Sequence, residues 1–271
     1  MRDMIEKLQD LRHLQWSESI ETSGTGGMLL KASEGAGTGR VYYKLSCYDS
    51  FSEIYGHECV NELIASRLFE LLGIPHVRYT LVHALVTVEK REHETWLVKS
   101  SSYRHSTDQK QAFDIFYRLN KRDDELPFSL AERFGWGDFL RKMMIADYLI
   151  ANRDRHGANI EVVRHADGTM HLAPLFDNGL SFVFSCYGDE SRAERFDPLD
   201  DVNANNFVGS RSLEENLRFA LQQPPQIASL PADWETAVLG GIDCCLPQAH
   251  CRKIRDMVEK RWEHYEVLRN R

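Results

Sequence analysis

Apolar residues between positions 136 and 150 recur mostly at the spacing of one helical face. They are Phe139, Met143, Met144, Ala146, Tyr148 and Ile150. This spacing predicts a helix over residues 138–150. Asp138 is a plausible N-cap, and the helix should end near Asn152.

The segment after this helix has the alternation and the turn residues of a β-hairpin. Residues 160–163 are predicted to form a short strand, residues 166–168 a turn, and residues 170–175 the return strand. Asn159 precedes this hairpin and Asp177 follows it. Because the two ends of a hairpin meet, these polar residues are expected to come together at its open end.

A second helical face lies nearer the N-terminus, in residues 55–72. Its apolar members are Val60, Leu63, Ile64, Leu68, Leu71 and Leu72. A Gly-Ile-Pro sequence at residues 73–75 should stop the helix. Four segments of high β propensity flank it and are predicted strands: residues 28–32, 41–45, 79–88 and 95–98.

The rest of the chain is predicted to be mainly helical, which makes the fold class α+β. The predicted helices are residues 109–119, 129–134, 138–150, 213–222, 233–242 and 247–268. In the last of them, basic and acidic residues alternate around an apolar face. That pattern favours a packed terminal helix with a solvated outer side over a nucleic-acid-binding patch.

Composition indicates a globular protein of the cytoplasm. The 271 residues are 42% hydrophobic and 27% charged, which suffices for a large core. The net charge of −8 disfavours a nonspecific grip on nucleic acid, and no apolar run approaches the length of a membrane span. The cysteines show no disulfide framework and fit reduced, mostly buried thiols: Cys47, Cys59, Cys186, Cys244, Cys245 and Cys251.

Three polar residues in the middle of the chain have the chemistry that phosphoryl transfer requires: Asp154, Asn159 and Asp177. Catalysis of this reaction depends on orienting the acceptor hydroxyl and on neutralising phosphate charge with Mg²⁺. Mg²⁺ takes one or two protein oxygens besides phosphate and water, which Asp177 and the Asn159 amide oxygen can supply. Asp154 is then free to hold the hydroxyl and receive its proton. The spacing therefore predicts a kinase that uses ATP and Mg²⁺.

The alternative interpretation is that these residues only shape loops. Asp154 and Asn159 would cap turns, and residues 177–179 would be an ordinary Asp-Asn-Gly turn. Because Asp154, Asn159 and Asp177 occur together and in this order, we favour the kinase interpretation over the interpretation that they only shape loops.

A kinase also needs a cation on the nucleotide phosphates and an acid that holds it. Lys44 lies within the predicted strand 41–45 and is the candidate cation. Glu62 and Glu58 are one turn apart on the helix over residues 55–72, so both can point toward the sheet. We favour Glu62 as the partner of Lys44, with Glu58 as the alternative.

Two glycine-rich segments compete for the role of a loop over the phosphates. Residues 22–27 precede a predicted strand, and the backbone around Ser23, Gly24, Thr25 and Gly26 could cover the phosphates closely. Residues 34–40 directly precede the Lys44 strand, which suits a connecting turn better.

At this point a family resemblance can be stated. Residues 147–159 together with residues 172–178 resemble the HipA-like family of bacterial kinases. Residues 62–68, followed by residues 72–75, are similar to the helix that precedes the hinge in that family. The resemblance covers roughly residues 20–190.

The resemblance implies a two-lobed fold, distantly related to eukaryotic protein kinases and phosphatidylinositol kinases, with ATP and Mg²⁺ between the lobes. Residues 1–98 would form the smaller, β-rich lobe and residues 99–271 the larger, mainly helical one. Matching positions imply that Asp154 is the catalytic residue and that Asn159 and Asp177 are the metal ligands. They also imply that Lys44 contacts the phosphates and that His156 belongs to the catalytic loop.

The chain also departs from the family. Familiar members are longer and carry an N-terminal subdomain that contacts a DNA-binding antitoxin, for which 271 residues leave little space. A helix-turn-helix antitoxin-like partner is therefore an open expectation. Some members are autophosphorylated on a Ser of the glycine-rich loop, and Ser23 or Thr25 could serve here.

Two further segments have expected roles. Residues 96–100 are where a hinge should lie, with the main chain of Leu97, Val98 and Lys99 bonding the adenine; the alternative is a simple edge strand. The polar stretch of residues 184–209 follows Asp177, and we expect substrate contacts or disorder there.

Two other metal sites fail on spacing. Zinc ligands usually pair at separations of two to four residues, whereas the adjacent Cys244 and Cys245 point apart, which argues against a site with His250 and Cys251. A metalloprotease helix at residues 57–61 lacks its second histidine.

Three functions remain. The leading hypothesis is a kinase acting on Ser or Thr of a protein, including itself. A second moves phosphate onto a small molecule or lipid headgroup, because fold does not fix the acceptor. The third is a regulatory binding module that does not turn over nucleotide.

Overall fold

A seven-stranded sheet occupies most of the first hundred residues. The computed structural model describes residues 3–18 and 28–271, and all structural statements below concern these ranges. The strands of the sheet are β1 (Met4–Asp10), β2 (Ser17–Glu18), β3 (Met28–Glu34), β4 (Val41–Asp49), β5 (Glu53–Ile54), β6 (Thr80–Val88) and β7 (Arg91–Ser101). Their order is β1-β6-β7-β4-β3-β2, with β5 paired to β4. Only β1 and β6 pair in parallel.

The centre of this sheet is a hairpin with a two-residue turn. Glu89 and Lys90 both have positive φ, 48° and 69°, so the turn follows the twist of the strands it joins. The register continues from Val88 opposite Arg91 down to Thr80 opposite Lys99. Alternation along β6 and β7 therefore gives the sheet two apolar faces.

Each face of the sheet has its own core. On one face, α1 (Glu58–Leu72) packs between the sheet and the helical part of the chain, and Leu81 and Val98 join that core. On the other face, Leu45 and Leu97 belong to a smaller cluster that residues 11–16 help to cover. The helix ends at Gly73, whose φ of 65° is a left-handed cap.

The remainder of the chain is mainly helical and includes two small sheets. The helices are α2 (Phe113–Asn120), α3 (Pro127–Arg133), α4 (Gly137–Ile150), α5 (Glu190–Arg195), α6 (Leu213–Leu221), α7 (Trp234–Leu239) and α8 (Gln248–Arg269). The strands are β8 (Gln109–Ala112), β9 (Asp154–Arg155), β10 (Glu161–Arg164), β11 (Met170–Leu172) and β12 (Asn205–Asn206). β11, β10 and β8 form one sheet, and β12 pairs with β9. Among the described residues, no helix is both long and apolar enough to cross a membrane.

The mixed helix and strand content is confirmed, and four local predictions are corrected. The helix predicted over residues 109–119 starts only at Phe113, because Gln109–Ala112 completes a sheet with β10. Asp138 is not the N-cap of α4 but lies in its first turn, where it pairs with Lys142 at 3.0 Å. The sequence reasoning missed β1, an edge strand with no fully buried position.

The fourth correction concerns the helix predicted over residues 233–242. It ends early as α7, because the Gly240–Gly241 pair breaks it and Gly241 has a φ of 81°. The expectation of mostly buried cysteines holds for Cys47, Cys59 and Cys186, whereas Cys244 is exposed.

Candidate functional site

A cavity of about 410 Å³ lies between the large sheet and the segments that surround β10 and β11. Its wall includes Lys31, Lys44, Val98, His156, Asn159, Glu161, Phe176, Asp177 and residues 100–104. The sheet supplies two lysines, and the opposite wall supplies carboxylate and amide groups. This arrangement can hold an anionic ligand together with a cation.

Lys44 lies at the centre of a chain of charges. Its Nζ is 2.7 Å from Glu62 Oε1 and also donates to Asp177 Oδ1. Lys44 is 8% exposed and Glu62 is fully buried. Burial would lower the pKa of Lys44, but the two carboxylates outweigh it and raise that pKa well above its ordinary value. The ammonium therefore stays charged.

The structure distinguishes the two candidate partners of Lys44. Glu58 is fully buried, but its Oε2 accepts from the Cys47 N–H at 3.3 Å, and its Oε1 has no hydrogen-bond partner among the described residues. Burial raises the pKa of Glu58. The ion pair is made by Glu62, one turn further along α1.

Asp177 is held between two lysines. Its Oδ1 accepts from Lys44, and its Oδ2 is 3.6 Å from Lys31 Nζ. Burial alone would raise the pKa of Asp177, but Lys44 and Lys31 lower it below its ordinary value. Asp177 is therefore an ionised carboxylate in the cavity wall, the state that a metal ligand needs.

The backbone around Asp177 is strained and clamped. Asp177 has a φ of 57°, a left-handed conformation that is uncommon outside glycine. On one side Arg155 Nη1 donates to the Phe176 carbonyl at 2.8 Å, and on the other the Asn178 N–H donates to Glu62 at 2.8 Å. Strain held in this way is typical of functional positions.

Arg155 is the buried anchor of this region. It is 1% exposed, pairs with Asp147 at 2.8 Å, and donates to Asn178 Oδ1 at 2.7 Å. The sequence reasoning gave Arg155, Asp147 and Asn178 no role, although all three lie in the segments that carry the family resemblance. A charged residue within an apolar-patterned helix, as Asp147 is in α4, was the available signal.

Asp154 has a different environment. It is 4% exposed and does not line the cavity; Asn205 Nδ2 lies 3.4 Å from its Oδ1, and His156 Nε2 is 3.7 Å from its Oδ2. Burial raises the pKa of Asp154, and the nearby Asp177 carboxylate adds to the rise, whereas His156 and Asn205 oppose it. The carboxylate thus has a higher proton affinity than an ordinary Asp.

A tight turn connects Asp154 to Asn159. His156 Nδ1 accepts from the Ala158 N–H at 3.1 Å, and Asn159 Nδ2 donates to the Asp154 carbonyl at 2.9 Å. Since the Asn159 amide nitrogen is used in this way, its oxygen is left to accept or to bind a cation. Gly157 is required here, because a Cβ would come within 2.4 Å of Asp114 Cβ.

Of the predicted hinge segment, part lines the cavity. Of Leu97, Val98 and Lys99, only Val98 lines the cavity, and Leu97 is fully buried on the opposite face of the sheet. Alternation along β7 explains the difference. The wall next to Val98 is formed by residues 100–104, where β7 ends.

The other predicted segments have mixed outcomes. Ser23, Gly24, Thr25 and Gly26 lie outside the described residues. The second glycine-rich segment is the turn between β3 and β4, as the sequence predicted. The polar stretch of residues 184–209 contains α5 and β12, and β12 places Asn205 opposite Asp154.

Comparison with known proteins shows the fold. Neither a protein-family model nor a curated protein matches the sequence. Among solved structures, the chain is similar to a Helicobacter pylori proinflammatory kinase, CtkA, with a TM-score of 0.61 over 97% of each chain. The two sequences are 15% identical, so the similarity shows that this chain has the fold of that kinase.

Proposed function

We propose that this chain is an ATP- and Mg²⁺-dependent phosphotransferase of the HipA-like type, with the nucleotide bound between a β-rich and a helical lobe. The observation that carries the proposal is the convergence of Lys44, Asn159 and Asp177 on one cavity, with the Asp154 carboxylate 3.7 Å from His156 in its wall. These four residues lie on three separate segments of the chain. A fold shared with a kinase supports the same assignment.

The residues of the cavity fit a metal-bound nucleotide. Asp177 offers an ionised carboxylate, and Asn159 offers an amide oxygen that its own hydrogen bond leaves available. Hard oxygen ligands of this kind suit Mg²⁺, and the bound ion would neutralise phosphate charge. Lys44, held by Glu62, would contact the phosphates.

Asp154 would act on the acceptor. The acceptor hydroxyl oxygen bonds to the γ-phosphorus, the bond between that phosphorus and its bridging oxygen breaks, and ADP leaves. Asp154 orients the hydroxyl and receives its proton, a task that suits a carboxylate of raised pKa. His156 holds the turn that presents Asp154 and Asn159.

The proposed acceptor is a Ser or Thr hydroxyl of a protein, including this chain itself. The folded stretch of residues 184–209 contacts Asp154 through Asn205, and in this proposal it would receive a peptide segment. A small-molecule or lipid acceptor uses the same catalytic residues, so the acceptor is decided by experiment.

Incubation with γ-labelled ATP and Mg²⁺ tests the proposal. Wild-type protein is expected to label itself or an added protein, and Asp154→Ala and Asp177→Ala are expected to abolish labelling. Asp123→Ala, which removes an exposed carboxylate, is the control and should label normally. Label appearing only on a small molecule would favour the second hypothesis. Nucleotide binding without any phosphate transfer or hydrolysis would contradict the proposed phosphotransferase activity and favour a regulatory binding module.

A further inference from the structure

Lys31 is a second cation at the carboxylate of Asp177. It lies on β3 directly opposite Lys44 on β4, so both side chains leave the same face of the sheet toward the cavity. Its Nζ is 3.6 Å from Asp177 Oδ2. The sequence reasoning assigned Lys31 no role, because one lysine in a strand has no distinguishing pattern.

The two lysines are held very differently. Lys44 is nearly buried and has a second carboxylate, Glu62, that keeps it in place. The Lys31 side chain is 44% exposed, and among the ion pairs of the described residues it has Asp177 alone. If Asp177 takes up a metal ion, Lys44 keeps Glu62 as a partner, whereas Lys31 loses the ion pair that the described residues give it.

We propose that Lys31 is a second phosphate-binding residue, which pairs with Asp177 and moves onto phosphate oxygens when a metal-bound nucleotide enters. This inference rests on the proposed function. A lysine ammonium on a flexible four-carbon stem can exchange one oxyanion for another over a short distance. Phosphate oxygens offer it a charge-assisted hydrogen bond in place of the ion pair that it gives up.

Binding of ATP and of adenosine, each with Mg²⁺, tests this by calorimetry without any turnover. Lys31→Gln removes the charge and keeps much of the stem, and Lys31→Arg keeps the charge. Lys7→Gln, an exposed position on β1 that does not line the cavity, makes the same change in net charge elsewhere on the sheet. Melting temperatures establish that each variant is folded.

We expect Lys31→Gln to weaken ATP binding about tenfold and to leave adenosine binding unchanged. Lys31→Arg and Lys7→Gln should stay within about threefold of wild type for both ligands. Two results would refute the role of Lys31 and leave the proposed function standing, provided that wild-type protein binds ATP. In the first, Lys31→Gln binds ATP as tightly as wild type; in the second, its affinity for adenosine falls as much as its affinity for ATP. If wild-type protein does not bind ATP with Mg²⁺, both proposals are refuted.

Discussion

Asp154 and Asp177 are the same chemical group in two neighbouring segments with opposite surroundings. Asp177 lies between two ammonium groups, and its pKa is lowered below the ordinary value against the effect of burial. Asp154 has an amide and an imidazole beside it, and burial raises its pKa. The neighbours therefore separate the two pKa values: the carboxylate of Asp177 stays ionised, whereas that of Asp154 takes up a proton more readily.

The two segments also differ in what holds them. Asp177 is fixed through its backbone, by Arg155 on the preceding carbonyl and by Glu62 on the following N–H. Asp154 is fixed mainly through a short turn and through Asn205. We expect substitutions around Asp177 to affect both folding and ligand binding, and substitutions at Asp154 to affect the reaction.

Replacing Asp177 by Asn should have the largest effect. The neutral amide loses both lysines and is a poor Mg²⁺ ligand, so we expect the phosphotransfer rate to fall by about 10³-fold or more. Rates measured across a Mg²⁺ titration check this. If Asp177→Asn retained a tenth of the wild-type rate at the Mg²⁺ concentration used for wild type, the assignment of Asp177 as a metal ligand would be wrong.

Asp154→Asn should come next and should separate the two roles. Loss of the proton acceptor is expected to lower kcat by about 10²- to 10⁴-fold. The affinity for ATP with Mg²⁺ should change by less than about threefold, because Asp154 does not line the cavity. Parallel kinetic and calorimetric measurements check the split. Equal losses in affinity and rate would place Asp154 in nucleotide binding instead.

Breaking the buried pair beneath both segments should destabilise the fold. Arg155→Met leaves Asp147 charged and buried, for which we expect a loss of about 3–5 kcal/mol in the free energy of unfolding. Arg155→Met with Asp147→Leu should recover part of that loss. Arg118→Met, which breaks an exposed pair with Asp114, is the control and should change stability by about 1 kcal/mol or less. Denaturant unfolding measures the free energy of unfolding of each variant. Equal losses in Arg155→Met and Arg118→Met would contradict the claim that the buried pair is the more important for stability.

Another buried carboxyl, that of Glu58, should give the smallest effect, a change in the pH dependence of stability whose sign is fixed. The folded protein raises the pKa of Glu58, so it keeps a proton that the unfolded chain releases near pH ~4.3. Above that pH the unfolded state binds fewer protons, and the contribution of Glu58 to stability falls until its folded pKa is passed. Glu58→Gln should show a smaller fall in stability between pH 4.5 and ~7 than wild type. Glu259→Gln, at an exposed position on α8, should leave the fall unchanged; a steeper fall in Glu58→Gln would be inconsistent with a buried, protonated Glu58.

The fold could be predicted where a pattern repeats locally. The α1 helix and the β4 strand follow from periodicity, and together they made the Lys44 and Glu62 pairing predictable. Gln109–Ala112 could not be predicted as a strand, because its partner β10 lies about fifty residues away. The residues of β7 that line the cavity could not be predicted for a related reason: which of them face it depends on the register of β7 with β4 and β6.

The supporting residues of the site were harder to predict than its central ones. Asp154, Asn159 and Asp177 have a spacing that the chemistry of a metal-bound phosphate makes meaningful. For Arg155 the available signal was its nearby partner Asp147, a charged residue within an apolar-patterned helix. Lys31 and its partner Asp177 lie far apart in the chain, and such a pair leaves no trace in local composition.

A crystal structure of the wild-type protein with Mn²⁺ and a non-hydrolysable ATP analogue tests the central claim most directly. The account predicts an anomalous scattering peak between the Asn159 amide oxygen and the Asp177 carboxylate, with the γ-phosphate turned toward Asp154. A nucleotide bound elsewhere, or a metal peak away from both residues, would contradict it.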